Sequence, residues 1–294
     1  MLWIILTISA AGAQTVRNAL QRGLTDTIGA LGAAHARFLY GLPFALGFVG
    51  LLWLTGRPPA IPTVNMIGWA ALGGFAQIGA TACLLAAMRT SSFVLVVAYT
   101  KTEPVLVLLA AWLIIGEAPT VIQAVAIIVA TFGVMLMGWP TQMRHSFVSS
   151  RSATLGLCSG ALFAISAVSF REGIISLNHP EFVTAATTTL AVVLTLQTLV
   201  LSAWLLLMQP STMKALIAKP TSTLPAGFCG AAASALWFLA FALAPAPLVR
   251  TVGLVEIAFS QLLGQRLFAE KMSLREGCGA LLVTCGIVGV LLGA

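Results

Sequence analysis

Ten apolar stretches joined by short polar connections account for nearly the whole of this chain. They run over 2–20, 30–54, 64–87, 91–115, 119–139, 154–174, 181–207, 223–243, 246–268 and 274–293. A hydrocarbon core about 30 Å thick is crossed by about 20 apolar residues in a helix, so each stretch is long enough to span. The division between the third and fourth rests only on Arg89 to Ser92. Apolar positions follow one another without a period of two, which is not the pattern of a membrane β-barrel. Inside lipid the remaining solution is the helix, which satisfies every backbone polar group within itself. The pattern therefore predicts an all-α integral membrane protein of ten transmembrane helices.

The same pattern is written twice. Glu103, Leu109, Glu117, Thr131 and Gly133 recur as Glu256, Leu262, Glu270, Thr284 and Gly286, at a constant offset of 153 residues. Upstream, Gly74, Phe75, Ala80, Ala82 and Ala87 recur as Gly227, Phe228, Ala233, Ala235 and Ala240. Five spans in each copy is an odd number, so the second copy enters the bilayer upside down relative to the first. The expected organisation is two inverted five-helix repeats, 1–145 and 146–294, joined by the polar linker Pro140 to Ser152. Inverted repeats are the sequence mark of transporters, whose site lies where the copies meet near mid-membrane. Residues Leu2 to Ala13 end in a small-residue run like a signal peptide. They lack a basic leader and match Leu155 to Arg171 in hydropathy, so they read as a retained first span.

Composition agrees with this reading. Of 294 residues, 59% are hydrophobic and 8% charged, and mean hydropathy is +1.02, against about 25% charged residues in soluble domains. A water-soluble fold is excluded. The net charge of +7 becomes a topology signal. Arg22, Arg89, Arg144, Arg151, Lys214, Lys219, Arg266, Lys271 and Arg275 fall in the connections after odd-numbered spans, whereas the opposite side holds only Arg57 and Arg171. That bias predicts cytoplasmic odd connections and both termini on the periplasmic face of an inner membrane. The cations are scattered over five connections, unlike a nucleic-acid patch. The five cysteines, Cys83, Cys158, Cys229, Cys278 and Cys285, lie in apolar stretches without CxxC spacing and read as packing residues.

Ionisable groups inside spans are costly and point to function. Lys101 and Glu103 lie near the middle of the fourth span, Glu256 near the middle of the ninth, and Arg250 about one and a half turns before it. Two readings stay open. In the first, the duplicated carboxylates Glu103 and Glu256 take a substrate ammonium or a proton, while Lys101 or Arg250 holds a substrate carboxylate. In the second, the carboxylates pair with Lys101 and Arg250 as buried ion pairs, or stay neutral and hydrogen-bond to neighbouring helices. Glu117 and Glu270, at span ends, read as helix-end anchors. Tyr99, one turn before Glu103, and Trp237, in mid-span, are candidate walls of a cavity. Gln14, Arg17, His35, Arg37 and Gln77 are weaker candidates: Arg37 has the option of snorkelling to the near interface, and His35 that of packing. Pro104, Pro245 and Pro247 are expected to kink the fourth and ninth spans beside these charges. Gly156/Gly160 and Gly289/Gly293 predict close helix contacts.

No HExxH, GxSxG, GxxxxGK[ST] or paired metal-ligand spacing occurs. No cofactor, metal or catalytic residue is expected. The segments "AYTKTEPVLVLLAAWLIIGE" and "QAVAIIVATFGVMLMG", with Arg37 early in the second span, resemble EamA-type members of the drug/metabolite transporter superfamily. The resemblance covers nearly the whole chain, with a more diverged second copy. It implies a ten-helix carrier of small organic molecules, often an exporter of amino acids or related metabolites, with Thr100, Lys101 and Glu103 facing the central cavity. In the second copy Ile257 stands where the first has Pro104. Relatives place their termini in the cytoplasm, opposite to the charge distribution here. The expected function is export of amino acids or similar metabolites across a bacterial inner membrane by alternating access. The alternatives are a multidrug exporter for lipophilic cations and a non-transporting scaffold or enzyme. Expected partners are a small-molecule substrate and the lipid bilayer, without nucleic acid, in a monomeric protein.

Overall fold

A computed structural model of the chain describes residues 1–88, 102–138, 150–218, 220–259 and 274–293. Every regular element among them is helical: α1 (Leu2–Leu39), α2 (Leu42–Leu54), α3 (Val64–Met88), α4 (Glu103–Ile115), α5 (Val121–Gly138), α6 (Ser150–Ile175), α7 (Phe182–Met208), α8 (Pro210–Ile217), α9 (Pro220–Leu243), α10 (Ala246–Val252) and α11 (Leu274–Leu292). A 3-10 turn, Gly253–Val255, follows α10. Six stretches are long and apolar enough to cross a membrane: Leu31–Leu54, Val64–Ala87, Ser152–Ile175, Phe182–Met208, Thr223–Leu243 and Leu274–Leu292. Each coincides with an expected span. Glu103–Ile115 and Val121–Met137 are shorter apolar helices. The expected stretches 91–101 and 260–268 and most of the linker lie outside the described residues.

Large apolar side chains face outward, as lipid contact requires: Leu113 is 78% exposed and Leu207 77%. Inside, threonines solve the problem of a hydroxyl without water by donating to the carbonyl four residues back. Thr189 donates to Ala185 O at 2.8 Å and Thr251 to Pro247 O at 2.8 Å.

The chain forms two compact units, each drawing on both sequence halves. One comprises Met1–Phe75 and Ser169–Ala244, the other Ala76–Val168 and Pro245–Ala294. The boundaries fall within α3 and α6, which run through both.

In the first unit α1 is interrupted at Gly29, whose φ of 74° and ψ of 164° are non-helical. Gln21 Nε2 donates to Ala33 O at 2.8 Å. In one straight helix those residues would lie about 18 Å apart, so the chain doubles back at Gly29 and its two segments run side by side. Only glycine takes this φ without a steric penalty. Leu24, Ile28, Ala33 and Ala36 of α1 then pack on Leu205, Met213, Leu216 and Ala226 from α7, α8 and α9. Gly227 of α9 admits Tyr40 so closely that a Cβ there would lie 2.5 Å from the tyrosine Cβ.

In the second unit α5 lies against α11 along a line of small residues. Gly133 faces Gly279 and Leu282, and Gly286 faces Ala126 and Ala130. Gly289 and Gly293, expected as contact glycines, abut Ala126 and Ile122 of α5 within this unit. A capping box starts α5: Gln123 N–H donates to Thr120 Oγ1 at 3.2 Å, and Thr120 N–H donates to Gln123 Oε1 at 3.1 Å. Thr120→Ala is expected to cost about 1 kcal/mol, measurable as a lower unfolding midpoint of the purified protein in detergent.

The prolines act differently from the expected kinks. Pro104 lies in the first turn of α4, and Pro245 and Pro247 open α10. There a missing N–H costs nothing, because the first turn of a helix has no internal acceptor for it. Among the described residues, Pro225 of α9 does fall inside a helix.

Candidate functional site

Two polar clusters interrupt the apolar interior, one in each unit. In the second unit Arg250 Nη2 lies 3.0 Å from Glu103 Oε1, with the side chains 16% and 22% exposed. Local structure favours both charges. Glu103 is in the first turn of α4 and Arg250 in the last turn of α10, so each faces the helix-dipole end that stabilises its sign. The 3-10 turn Gly253–Val255 then tightens the chain before Glu256, where the next helical turn begins. Leu254 and Ile257 on either side of it anchor this stretch on Ala130, Val134, Met137 and Val283. Glu103 and Arg250, 147 positions apart in sequence (250 minus 103), thus meet as the sequence's ion-pair reading allowed. Glu256 is partly buried six residues beyond Arg250. Gln77, in the same unit, is partly buried, and its backbone carbonyl accepts from Thr81 Oγ1 at 2.9 Å. Tyr99, Thr100 and Lys101 lie outside the described residues.

In the first unit Trp237 Nε1 donates to Gln14 Oε1 at 3.1 Å, and the indole stacks on Phe241 with centroids 6.1 Å apart. Arg17, one turn after Gln14, donates through Nε and Nη2 to Asn18 Oδ1 at 3.3 and 2.8 Å. Arg37, later in the same helix, is partly exposed as a whole. Its Nε and Nη2 are buried without a hydrogen-bond partner among the described residues, and its Cζ lies 4.4 Å from the centre of the Phe38 ring. His35 is fully buried and shares a 2.9 Å hydrogen bond between Nε2 and Ser202 Oγ. Ser202 and Gly230 escaped the sequence reading because each matters only through a partner on another helix. Among the described residues no three His, Cys, Asp or Glu side chains gather as a metal site would require.

Membrane-length helices with outward apolar faces and paired charges within define a polytopic helical membrane protein. The profile of the EamA-like transporter family matches residues 1–139, so this part of the chain is similar to that family of membrane transporters. It is also similar to a solved structure described only as "Crystal structure of protein", with a TM-score of 0.75 and 14% identity over 99% of this chain and 96% of the other. At that identity the likeness concerns the fold alone. No curated protein matches.

Proposed function

We propose that this transporter exports amino acids or related small metabolites across the inner membrane by alternating access of two inverted halves, 1–145 and 146–294. The observation that carries the proposal is the 3.0 Å pair between Glu103 and Arg250. Opposite charges set on two helix ends offer a zwitterion both of its counterparts: Glu103 for an ammonium and Arg250 for a carboxylate. Glu256, the duplicate of Glu103, takes the equivalent role or carries a proton. Tyr99, Thr100, Lys101 and Trp237 are the further residues that the sequence nominates for substrate contact. The family match ends at residue 139, close to the end of the first half, which supports reading the chain as two copies. The excess of cations in odd-numbered connections supports periplasmic termini.

Export of a lipophilic cation is the weaker reading, because such a substrate would have to displace a guanidinium already seated on Glu103. Counterflow into liposomes holding the purified protein separates the two. Exchange of radiolabelled amino acids, with a cationic dye left outside, is the expected result; exchange of the dye alone overturns the assignment. Running the assay with and without a pH gradient reveals proton coupling.

A further inference from the structure

Arg17 and Arg37 are twenty positions apart, which in a straight helix is about 30 Å. Folding back at Gly29 cancels that distance. A Cβ built on Gly230 of α9 would meet Arg37 Cβ at 3.2 Å and Arg17 Cδ at 3.6 Å, so both side chains flank one point on α9. Gln21 and Ala33, which are hydrogen bonded, and Arg17 and Arg37 have position numbers with the same sum, 54, as a single antiparallel register demands. Counted along α1 from the turn, Arg37 lies about 12 Å and Arg17 about 18 Å away.

The two guanidinium groups are in different states. Arg17 spends its Nε and Nη2 on Asn18. Arg37 makes no ion pair with any described residue, and its Nε and Nη2 have no acceptor there. Those two nitrogens form one edge of the guanidinium, whose parallel N–H groups match the two oxygens of a carboxylate or phosphate. The contact with Phe38 uses the π-face of that ring and leaves the edge unused. A charged donor edge shut away from water is unfavourable unless some state of the protein supplies its acceptor. A second cation beside it makes an anion the fitting guest.

We propose that Arg37, with Arg17 beside it, is an oxyanion-binding site in the first unit, separate from the Glu103–Arg250 pair. Arg37 grips the carboxylate or phosphate through its Nε–Nη2 edge, and Arg17 adds positive field. Gly230 supplies the room both side chains need. The edge is closed off in this conformation, so a movement of the surrounding helices admits the anion.

Binding, read without transport, tests this independently of the export assignment. Unfolding midpoints of the purified protein are recorded in detergent with succinate, with inorganic phosphate or with potassium chloride at equal ionic strength, and in nanodiscs with or without phosphatidylglycerol. A saturable rise with succinate or phosphate in the wild type, absent in Arg37→Gln, is the expected result. A rise confined to phosphatidylglycerol and lost in Arg37→Gln supports the same chemistry with a lipid headgroup as the source. Should Arg37→Gln fail to fold, Arg37→Lys keeps the charge but not the fork and should bind at least about tenfold more weakly. No rise with any of the three, or undiminished binding in the variant that folds, overturns the proposal.

Discussion

Arg250→Gln should lower the unfolding midpoint sharply, and adding Glu103→Gln should restore most of that loss without restoring flux. The single change leaves a carboxylate whose Oε1 is buried facing a neutral amide. Stranding one member of a buried pair costs about 3–5 kcal/mol. With the side chains 16% and 22% exposed, partial screening brings the expectation to about 2–3 kcal/mol. Once both partners are neutral the desolvation cost disappears, so stability returns. Transport does not return if these groups meet the substrate, because neither the ammonium nor the carboxylate of a zwitterion finds its counter-charge. Thermal unfolding and counterflow on the same preparations separate the two effects. Glu103→Gln with Glu256→Gln likewise abolishes flux in reconstituted vesicles, and undiminished flux there would remove the carboxylates from the site.

The second large effect lies in the contact between α5 and α11. Gly286→Leu should leave little folded protein. The first added carbon would already lie 2.5 Å from Ala130 Cβ, 2.6 Å from Ala126 O and 2.7 Å from Ala130 N. Backbone atoms cannot swing aside as a flexible side chain can, so the helices must separate. Overpacking costs about 1–3 kcal/mol where neighbours can yield, and here they cannot. Gly277 on the same helix has nothing within 4 Å of its would-be Cβ. Gly277→Ala should therefore be neutral or stabilising by up to about 1 kcal/mol. Size-exclusion profiles of detergent extracts of the two variants give the comparison, and a normal peak for Gly286→Leu would contradict the packing described.

The long apolar runs could be read directly because lipid imposes length and composition on each span separately, with no reference to its neighbours. Val64–Ala87 and Phe182–Met208 follow from counting residues alone. The site is different. That Arg250 reaches Glu103, and that Trp237 reaches Gln14 across 223 positions (237 minus 14), depends on how helices pack, which periodicity does not encode. Pro104 shows a subtler gap. Proline disrupts a helix interior yet suits its first turn, and only the position of the helix start at Glu103 decides which applies. Thr120 and Gln123 carried a capping signal in plain view. It lies just inside an expected span, and hydropathy by itself does not mark where the helix within that span begins.

The reversal at Gly29 also reconciles α1 with its surroundings. As one uninterrupted rod, its 38 residues would reach about 57 Å, nearly double the oily thickness available to them. A single residue without a side chain turns that excess length back on itself, so that polar groups twenty positions apart in sequence become neighbours.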